Sequence, residues 1–321
     1  MIRNLFTAVC ILVSCFVPLA VQSQNFAREF IENQKDKSKT EVVYVDFVDE
    51  ILHTNTTFSM MEGFDELDAE TKDLLTKKYT LVSDKVNDSI LLSVFKTKFL
   101  STLNSFGFDV RECKADSFPQ TLQPNEHTLQ VAQFELEEFV VNDTIAAKDN
   151  NQTISYTKLL SGIRWNTWLK YNTSDTNTCL IFFADDETTD DFFGFIEKTG
   201  GQYYADYTLT KINPNDAYLL AHSNAELCGR YFFNFLMNRY VWLKTSGNPT
   251  MYYSIGRQGN LISDDKPFDN FDVIQQHLLF VKITPTTEPR FGQSTKMKKA
   301  GFIDCKGGGK YIQYFKTADF P

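Results

Sequence analysis

The fold is decided by three consecutive segments: TLQVAQFELEEFVV (Thr128–Val141), SYTKLLSGIRWNTWLKYN (Ser155–Asn172) and TCLIFFAD (Thr178–Asp185). In the second segment, apolar side chains alternate with mostly polar ones from Ile163 to Tyr171, a period typical of a strand with one buried face. In the first, the apolar positions change phase after Val131, which predicts a β-bulge near Ala132–Gln133. The third is apolar on both faces and is therefore placed inside the sheet. We predict a three-stranded meander.

Two stretches rich in Asn and Asp, Asn142–Asn151 and Ser174–Asn177, are predicted to connect these strands. Glutamates of the first segment are expected to face basic residues of the second across the sheet, which is ordinary cross-strand pairing. The residues concerned are Glu135, Glu137, Glu138, Arg164 and Lys170.

Two amphipathic or apolar segments predict long helices that pack on the meander. Asp84–Phe106 repeats apolar residues at helical spacing, with Ser83 or Asp84 as cap and Gly107 as the terminating residue. Pro214–Thr245 is apolar on every side, which is typical of a helix buried between layers. The predicted fold class is α+β, with long helices on a mixed, largely antiparallel sheet.

The N-terminus has the features of an export signal. Arg3 precedes the apolar run Leu5–Val21, and the small residues that follow predict cleavage before Gln24. Residues 1–23 are therefore the predicted signal peptide, 24–247 the core domain, and 248–321 an extension with a basic tail packed on the core. The alternative is a lipoprotein signal in which Cys15 is acylated, and only that form would be anchored to a membrane. The expected location is periplasmic or secreted, or the outer membrane for the lipoprotein.

Four cysteines remain outside the signal: Cys113, Cys179, Cys228 and Cys305. In an exported chain they permit two disulfides, with buried free thiols as the alternative. Their spacing disfavours a zinc site, and we expect neither a metal nor a cofactor. The net charge of −9 argues against nucleic acid as a partner. No further apolar stretch reaches the length of about 18 residues that a membrane span requires.

An acidic segment follows the meander, and a basic one lies near the C-terminus. The first, Asp185–Asp191, is interpreted as a solvated helix start, with Ca²⁺ binding as the alternative. The second includes Lys296, Lys298 and Lys299 and is a candidate contact for an anionic partner or lipid head group, or a solvated tail on the protein's own acidic surface.

The sequence contains no recognisable catalytic constellation. It lacks a nucleophile elbow, an H-E-x-x-H motif and the glycine patterns of nucleotide-binding loops. The best candidate for contact is instead Trp168, on the otherwise polar strand face beside Arg164 and Lys170; the alternative is that other parts of the chain cover it.

The order of the predicted elements resembles that of a group of bacterial envelope proteins. The strand, the amphipathic helix ending in "FLSTLNSFGFDV", the strand ending in "RWNTWLKYN" and the long helix are similar to an α/β domain with anticodon-binding-domain-like topology. The curli-export and lipopolysaccharide-assembly lipoproteins belong to this group. The signal ending in "AVQSQ" is similar to those of exported Bacteroidetes proteins. The resemblance covers roughly residues 41–245 and implies a non-catalytic scaffold or assembly factor.

The leading functional hypothesis is a non-enzymatic envelope protein that binds another envelope protein or a surface component. The alternative is a secreted hydrolase of glycans or peptides, with acid and base drawn from Glu135, Glu137, Asp185 or His222. The two differ in what the structure must contain: a hydrolase needs titratable groups that converge in a pocket, and a binding protein needs an accessible patch.

Overall fold

The computed structural model describes residues 22–57, 63, 66–78, 80–173, 180–245, 251–256 and 258–264, and the backbone of 281–282 and 311–316. Its helices are α1 (22–33), α2 (Ala69–Lys78), α3 (Asp88–Ser105) and α4 (Pro214–Lys244). Its strands are β1 (Val42–Phe47), β2 (Ile51–Asn55), β3 (Asp109–Glu112), β4 (Glu126–Asp149), β5 (Gln152–Thr173), β6 (Leu180–Thr189), β7 (Asp191–Thr199), β8 (Gln202–Thr210), β9 (Tyr252–Ile255), β10 (Leu261–Asp264), β11 (Val281–Lys282) and β12 (Tyr311–Lys316).

The predicted meander is the centre of a mixed sheet. Strands β4, β5 and β6 pair antiparallel, and the complete order is β11-β12-β6-β5-β4-β1-β3, with β2 paired to β4 beyond the end of β1. Strands β1 and β2 run parallel to β4, and β12 runs parallel to β6. The α+β class is therefore confirmed. The predicted bulge is also confirmed, because the β4–β5 register shifts between Val131 and Gln133.

One face of the sheet carries the helices and the aromatic core. The ring of Phe95 in α3 lies 4.7 Å from Phe134 and 6.3 Å from Trp165, centroid to centroid. Tyr171 of β5 lies 5.6 Å from Phe232 of α4. After the bulge, the even-numbered residues of β4 face this helical layer and the odd-numbered ones face away from it.

Helix α4 is buried on several sides because other elements cover the surface that does not contact the sheet. Phe30 of α1 lies 5.5 Å from Phe233, and β9 crosses the helix near Asn238. The Asn238 side chain accepts a hydrogen bond from the Tyr253 amide and donates one to the Tyr253 carbonyl, each within 2.8 Å. Asn234, one turn earlier, accepts from the Ile255 amide. These two buried amides therefore pair with the backbone of β9 as a neighbouring strand would.

Three of the four predicted helix ends lie within one residue of the observed ends. Asn213 and Asp216 form a capping box at the start of α4, and Gly107, at a φ of 93°, follows the end of α3. The start of α3 is different. It lies at Asp88, capped by Asn87, because the amide and hydroxyl of Ser83 bind the Glu138 carboxylate instead of opening the helix.

The long connection predicted between the first two strands of the meander is wrong. Both strands continue to a two-residue turn, Asn150-Asn151, whose φ angles of 45° and 64° are those of a type I′ hairpin. Asn tolerates this left-handed region better than other residues with a side chain. The predicted helix start at Asp185–Asp191 is also wrong, because this segment ends β6 and begins β7.

Disulfides and buried free thiols were open alternatives for the four cysteines, and two of the four lie among the described residues. Cys113 and Cys228 are free thiols, and Cys228 is completely buried on α4. The alternative of a buried free thiol therefore holds for Cys228. Several other predicted positions lie outside the described residues: Cys15, Cys179, Cys305, Lys296, Lys298 and Lys299. The signal-peptide and domain assignments stay predictions. None of the helices in the described ranges has the length and hydropathy of a membrane span.

Candidate binding surface

Two hairpins stack into an arm that continues past the edge of the main sheet. The first is the two-stranded ribbon formed by residues 139–162 of β4 and β5. On β4 it begins after Glu138, the last residue that pairs with β2, and on β5 it ends at Gly162, the first residue that pairs with β6. The second is the β7–β8 hairpin. Its inner face, which includes Phe192, Ile196 and Tyr207, packs on the ribbon.

Aromatic and ionic contacts hold the two layers of the arm together. The rings of Tyr156 and Tyr207 stack with centroids 5.5 Å apart. Near the tip, the Asp149 carboxylate accepts hydrogen bonds from the Lys198 ammonium and the Tyr203 hydroxyl, each at 2.5 Å. Contacts of this kind at both ends of the hairpin give the arm a defined shape rather than a flexible loop.

Asp190 fixes the direction in which the second hairpin leaves the sheet. Its side chain is 1% exposed and accepts hydrogen bonds from the amides of Ser161 and Ile212 and from Lys211 Nζ, at 2.7–3.0 Å. Burial alone would raise the pKa of this carboxyl, but these three donors outweigh it and hold the pKa below its ordinary value. Asp190 therefore ties the beginning of β7 and the end of β8 to β5.

The outer face of the β7–β8 hairpin exposes three aromatic side chains. Phe193 is 73% exposed, Phe195 49% and Tyr204 52%. The register places Phe195 opposite Asp206 and Tyr204 opposite Glu197. We define the outer face by the side chains that share it: Asp191, Phe193, Phe195, Glu197, Thr199, Gln202, Tyr204, Asp206, Thr208 and Thr210. A continuous exposed aromatic row on a strand face is a feature of interaction sites.

The outer face is also acidic. Asp191, Glu197 and Asp206 are exposed, and none of them forms an ion pair with another residue in the described part of the chain. The face contains no Lys or Arg. The surface is thus a row of aromatic rings beside three carboxylates.

The sequence contains a signal for this hairpin that our prediction missed. FFGFIEK and QYYADYTL, both rich in aromatic residues that favour strands, flank Gly200-Gly201, a glycine pair typical of a two-residue hairpin turn. Both glycines have positive φ, at 61° and 81°. The acidic residues before the segment favoured a helix, and the glycine pair between two aromatic-rich stretches was the better guide.

The expectation that Trp168 is exposed is wrong. Its side chain is only 4% exposed, which matches the alternative that other parts of the chain cover it. Trp168 is therefore not an accessible contact residue. Arg164 binds Glu137 at 3.2 Å and Glu187 at 2.5 Å, as the predicted cross-strand pairing requires for Glu137. Lys170 lies opposite Gln130 of β4.

Of the residues considered for hydrolysis, Glu135, Glu137 and Asp185 share one face of the sheet, and His222 lies on the other side. Glu135 accepts a hydrogen bond from Thr54 at 2.6 Å and Glu137 pairs with Arg164, both on the sheet face away from the helices. Asp185 lies two strands from Glu135, on the far side of Asn166, a separation of about 10 Å between strands. His222 is exposed on α4, on the helical side of the sheet.

A cleft of about 660 Å³ lies beside α3, between that helix and β1 and β3. Its charged groups are already paired: Lys96 with Glu112, and Lys114 with Asp49 at 2.9 Å. Burial, and then the nearby Asp46 carboxylate, raise the pKa of the Cys113 thiol, which opposes the thiolate that a nucleophile needs.

A second groove, of about 640 Å³ between α3 and α4, contains His222 with serine and threonine hydroxyls but no carboxylate. Within the described ranges, no group of three potential ligands is placed to hold a metal ion. The cleft beside α3 holds its acidic and basic groups in ion pairs with each other, and the second groove has no carboxylate. The arm is therefore the surface with the most distinctive chemistry.

Comparison with known proteins adds little to this picture. No protein-family model matches the chain, and no curated protein matches it. Among solved structures, it is similar to a homolog of a neuraminyllactose-binding hemagglutinin from Helicobacter pylori, at 11% identity and a TM-score of 0.27. The similarity covers 64% of this chain and 90% of that chain. A likeness this distant supports no argument about function.

Proposed function

We propose that the protein is an exported, non-catalytic binding protein whose contact surface is the outer face of the β7–β8 hairpin. The observation that supports this most strongly is the exposure of Phe193, Phe195 and Tyr204 in one row on a well-anchored arm. Aromatic side chains cost little conformational entropy when they are immobilised, and they are enriched among the residues that dominate binding energy. Placing them on strands rather than loops fixes their positions before a partner arrives.

The placement of the titratable groups favours binding over hydrolysis. A hydrolase requires an acid and a base within reach of one reacting atom, in a site where water is controlled. In the described residues, Glu135, Glu137 and Asp185 lie on one side of the sheet and His222 on the other. The charged groups of the larger cleft are paired with each other.

Export belongs to the proposal because of the N-terminal sequence. The basic residue, apolar run and small-residue cleavage site are those of a secretory signal, with acylation at Cys15 as the alternative. Either route places the arm outside the cytoplasm, where another envelope protein or a surface component is available as partner.

The experiment is affinity purification of the tagged protein from its native envelope in three forms. We compare the unmodified chain, the double variant Phe193→Ser/Phe195→Ser, and the control Leu219→Ser. Leu219 is 66% exposed on α4, so its variant removes a similar exposed apolar group away from the arm. The proposal predicts that a partner is recovered with the unmodified chain and the control but lost with the double variant. Equal recovery with all three would overturn it.

A further inference from the structure

The outer face shares one chemical pattern with ion-pair sites elsewhere in this molecule. At five places among the described residues, a Lys or Arg lies over an aromatic ring and also contacts a carboxylate. The sets are Lys96 with Phe47 and Glu112, Arg111 with Tyr44 and Asp109, Arg164 with Phe139 and Glu187, Lys198 with Tyr203 and Asp149, and Lys244 with Tyr240 and Glu29. The distances from cation to ring centroid are 4.8–5.7 Å.

The outer face has the ring and the carboxylate of this arrangement twice, without a cation of its own. Phe195 lies directly opposite Asp206, and Tyr204 directly opposite Glu197. Directly opposed side chains on one sheet face are about 5 Å apart at Cβ, close enough to contact the same ammonium or guanidinium group. The two pairs occupy successive rows of the same face.

We propose that the occupant of the outer face is an extended polypeptide segment of a partner protein, with Lys or Arg at alternate positions. This deepens, and rests on, the function proposed above. Side chains on one face of an extended segment are separated by about 6.8 Å, which is also the spacing between successive rows of a strand face. Basic residues at positions i and i+2 of the segment therefore match the Phe195–Asp206 and Tyr204–Glu197 pairs. Each contact combines a cation–π interaction with an ion pair.

Charge argues against two other occupants. A second copy docked face to face would bury six carboxylates, from Asp191, Glu197 and Asp206 of each copy, with no basic residue to pair them, and such an interface is strongly disfavoured. An anionic membrane surface would be repelled by the same three groups. A partner with a basic, extended segment satisfies both the rings and the carboxylates.

The test measures binding of a fluorescein-labelled peptide of about nine residues, with Lys alternating with Thr and Val so that basic residues recur on one face. We expect saturable binding that weakens as the salt concentration rises from about 50 mM to about 300 mM, because exposed ion pairs are screened. A peptide with Glu in place of Lys should not bind.

Two isosteric changes, Glu197→Gln and Asp206→Asn, remove charge without removing shape. Together they should weaken the lysine peptide about tenfold, since two ion pairs are lost. The matched control is Asp84→Asn, an exposed carboxylate ahead of α3, which should leave the affinity unchanged. Phe195→Ser should weaken the peptide independently of salt, because the ring provides the non-ionic part of each contact.

Four results would overturn the proposal. The first is no saturable binding of the lysine peptide, and the second is peptide binding that Glu197→Gln/Asp206→Asn leaves unchanged. The third is that the peptide fails to bind while a neutral hexasaccharide binds and Phe195→Ser abolishes that binding. The fourth is a more than tenfold gain in peptide affinity when Lys296, Lys298 and Lys299 are changed to Gln. The last would identify the chain's own basic segment as the occupant. If the peptide fails but envelope partners are still lost with Phe193→Ser/Phe195→Ser, only the partner's chemistry is wrong and the proposed function stands.

Discussion

Glu138 is a fully buried carboxylate that is held by neutral donors. Its oxygens accept hydrogen bonds from the amides of Leu81, Val82 and Ser83 at 2.7–2.9 Å, and from the Ser83 hydroxyl and the Asn55 amide group. A buried charge is tolerated only when its hydrogen-bonding capacity is filled in this way. The carboxylate thereby fixes the segment that leads into α3.

Replacing Glu138 with Gln should destabilise the fold. The amide keeps the shape but introduces an N–H group toward backbone donors, so at least one buried donor loses its acceptor. We expect a loss of about 3 kcal/mol in the free energy of unfolding, measured by chemical denaturation. The control Glu197→Gln changes an exposed glutamate and should cost less than about 0.5 kcal/mol. Equal effects of the two changes would contradict this role of Glu138.

The two free cysteines should differ in reactivity. Burial raises the pKa of the Cys228 thiol strongly, and the thiolate is the reactive form. We expect Cys228 to resist a disulfide-exchange reagent in the native protein and to react after unfolding, while the partly exposed Cys113 reacts slowly. A Cys113→Ser variant isolates the signal of Cys228. Rapid native labelling of that variant at Cys228 would show that the packing of α4 is wrong.

Among individual residues, the sequence predicted some side-chain pairs correctly and missed others, because it misjudged which face of the strand a residue occupies. The pairing of Glu137 with Arg164 followed from strand alternation and is confirmed. Glu138 was assigned to the same face as Glu137, although adjacent residues of a strand point to opposite faces. Its partners Val82 and Ser83 lie 56 and 55 residues away in a loop, and no local pattern indicates them.

At the scale of elements, the β7–β8 hairpin depends on one buried carboxylate. Changing Asp190 to Asn removes the charge that Lys211 pairs with and leaves the Ser161 and Ile212 amides with a weaker acceptor. We expect a loss of about 2 kcal/mol at neutral pH, and faster hydrogen exchange in β7 and β8 than in β4 near the bulge.

The effect of Asp190 on stability should depend on pH in one direction. The pKa of Asp190 in the folded chain is lowered from the ordinary 3.8, so its ionised form stabilises the fold above that value. The stabilisation is lost as the pH falls through the folded pKa. The difference in unfolding free energy between the unmodified chain and Asp190→Asn should therefore be constant above about pH 5 and shrink below about pH 4. A difference that grows in acid would contradict this assignment.

Elements whose apolar residues follow a clear local pattern were predicted from the sequence. Elements whose boundaries depend on contacts with distant residues were not. The meander and its bulge follow from apolar spacing along the chain, and helix α4 follows from its apolar composition. The start of α3 moved because a distant carboxylate binds Ser83, and the acidic segment became strand because Asp190 is buried. Which carboxylate of an acidic segment becomes buried is a tertiary property, and composition does not reveal it.

At the scale of the whole molecule, the aromatic core and the proposed contact surface on the arm are separate. The aromatic residues of the core are packed between the sheet and the helices, whereas those of the outer face remain in solvent. The strands of the core and those of the outer face both carry aromatic residues at alternate positions, so their local patterns are alike. Which set is exposed depends on the stacking of the second hairpin on the first. The proposed contact surface was therefore not predictable from the sequence, which favoured Trp168 instead.

Because the outer face makes no contribution to the core, changing it should affect binding and not folding. We expect Phe193→Ser/Phe195→Ser to shift the free energy of unfolding by less than about 0.5 kcal/mol. The measurement is a denaturation curve alongside that of Leu219→Ser. A cooperative loss of several kcal/mol would show that these rings belong to a packed interior.

The most direct test of the central claim is photo-crosslinking in the native envelope, with a benzophenone side chain placed at position 195 of the outer face or at position 219 of α4. Position 195 should give a discrete crosslinked product with a partner, and the yield should fall when Glu197→Gln/Asp206→Asn is added. Position 219, of comparable exposure, should give none. A discrete product from position 219 together with none from position 195 would contradict the assignment of the arm as the contact surface.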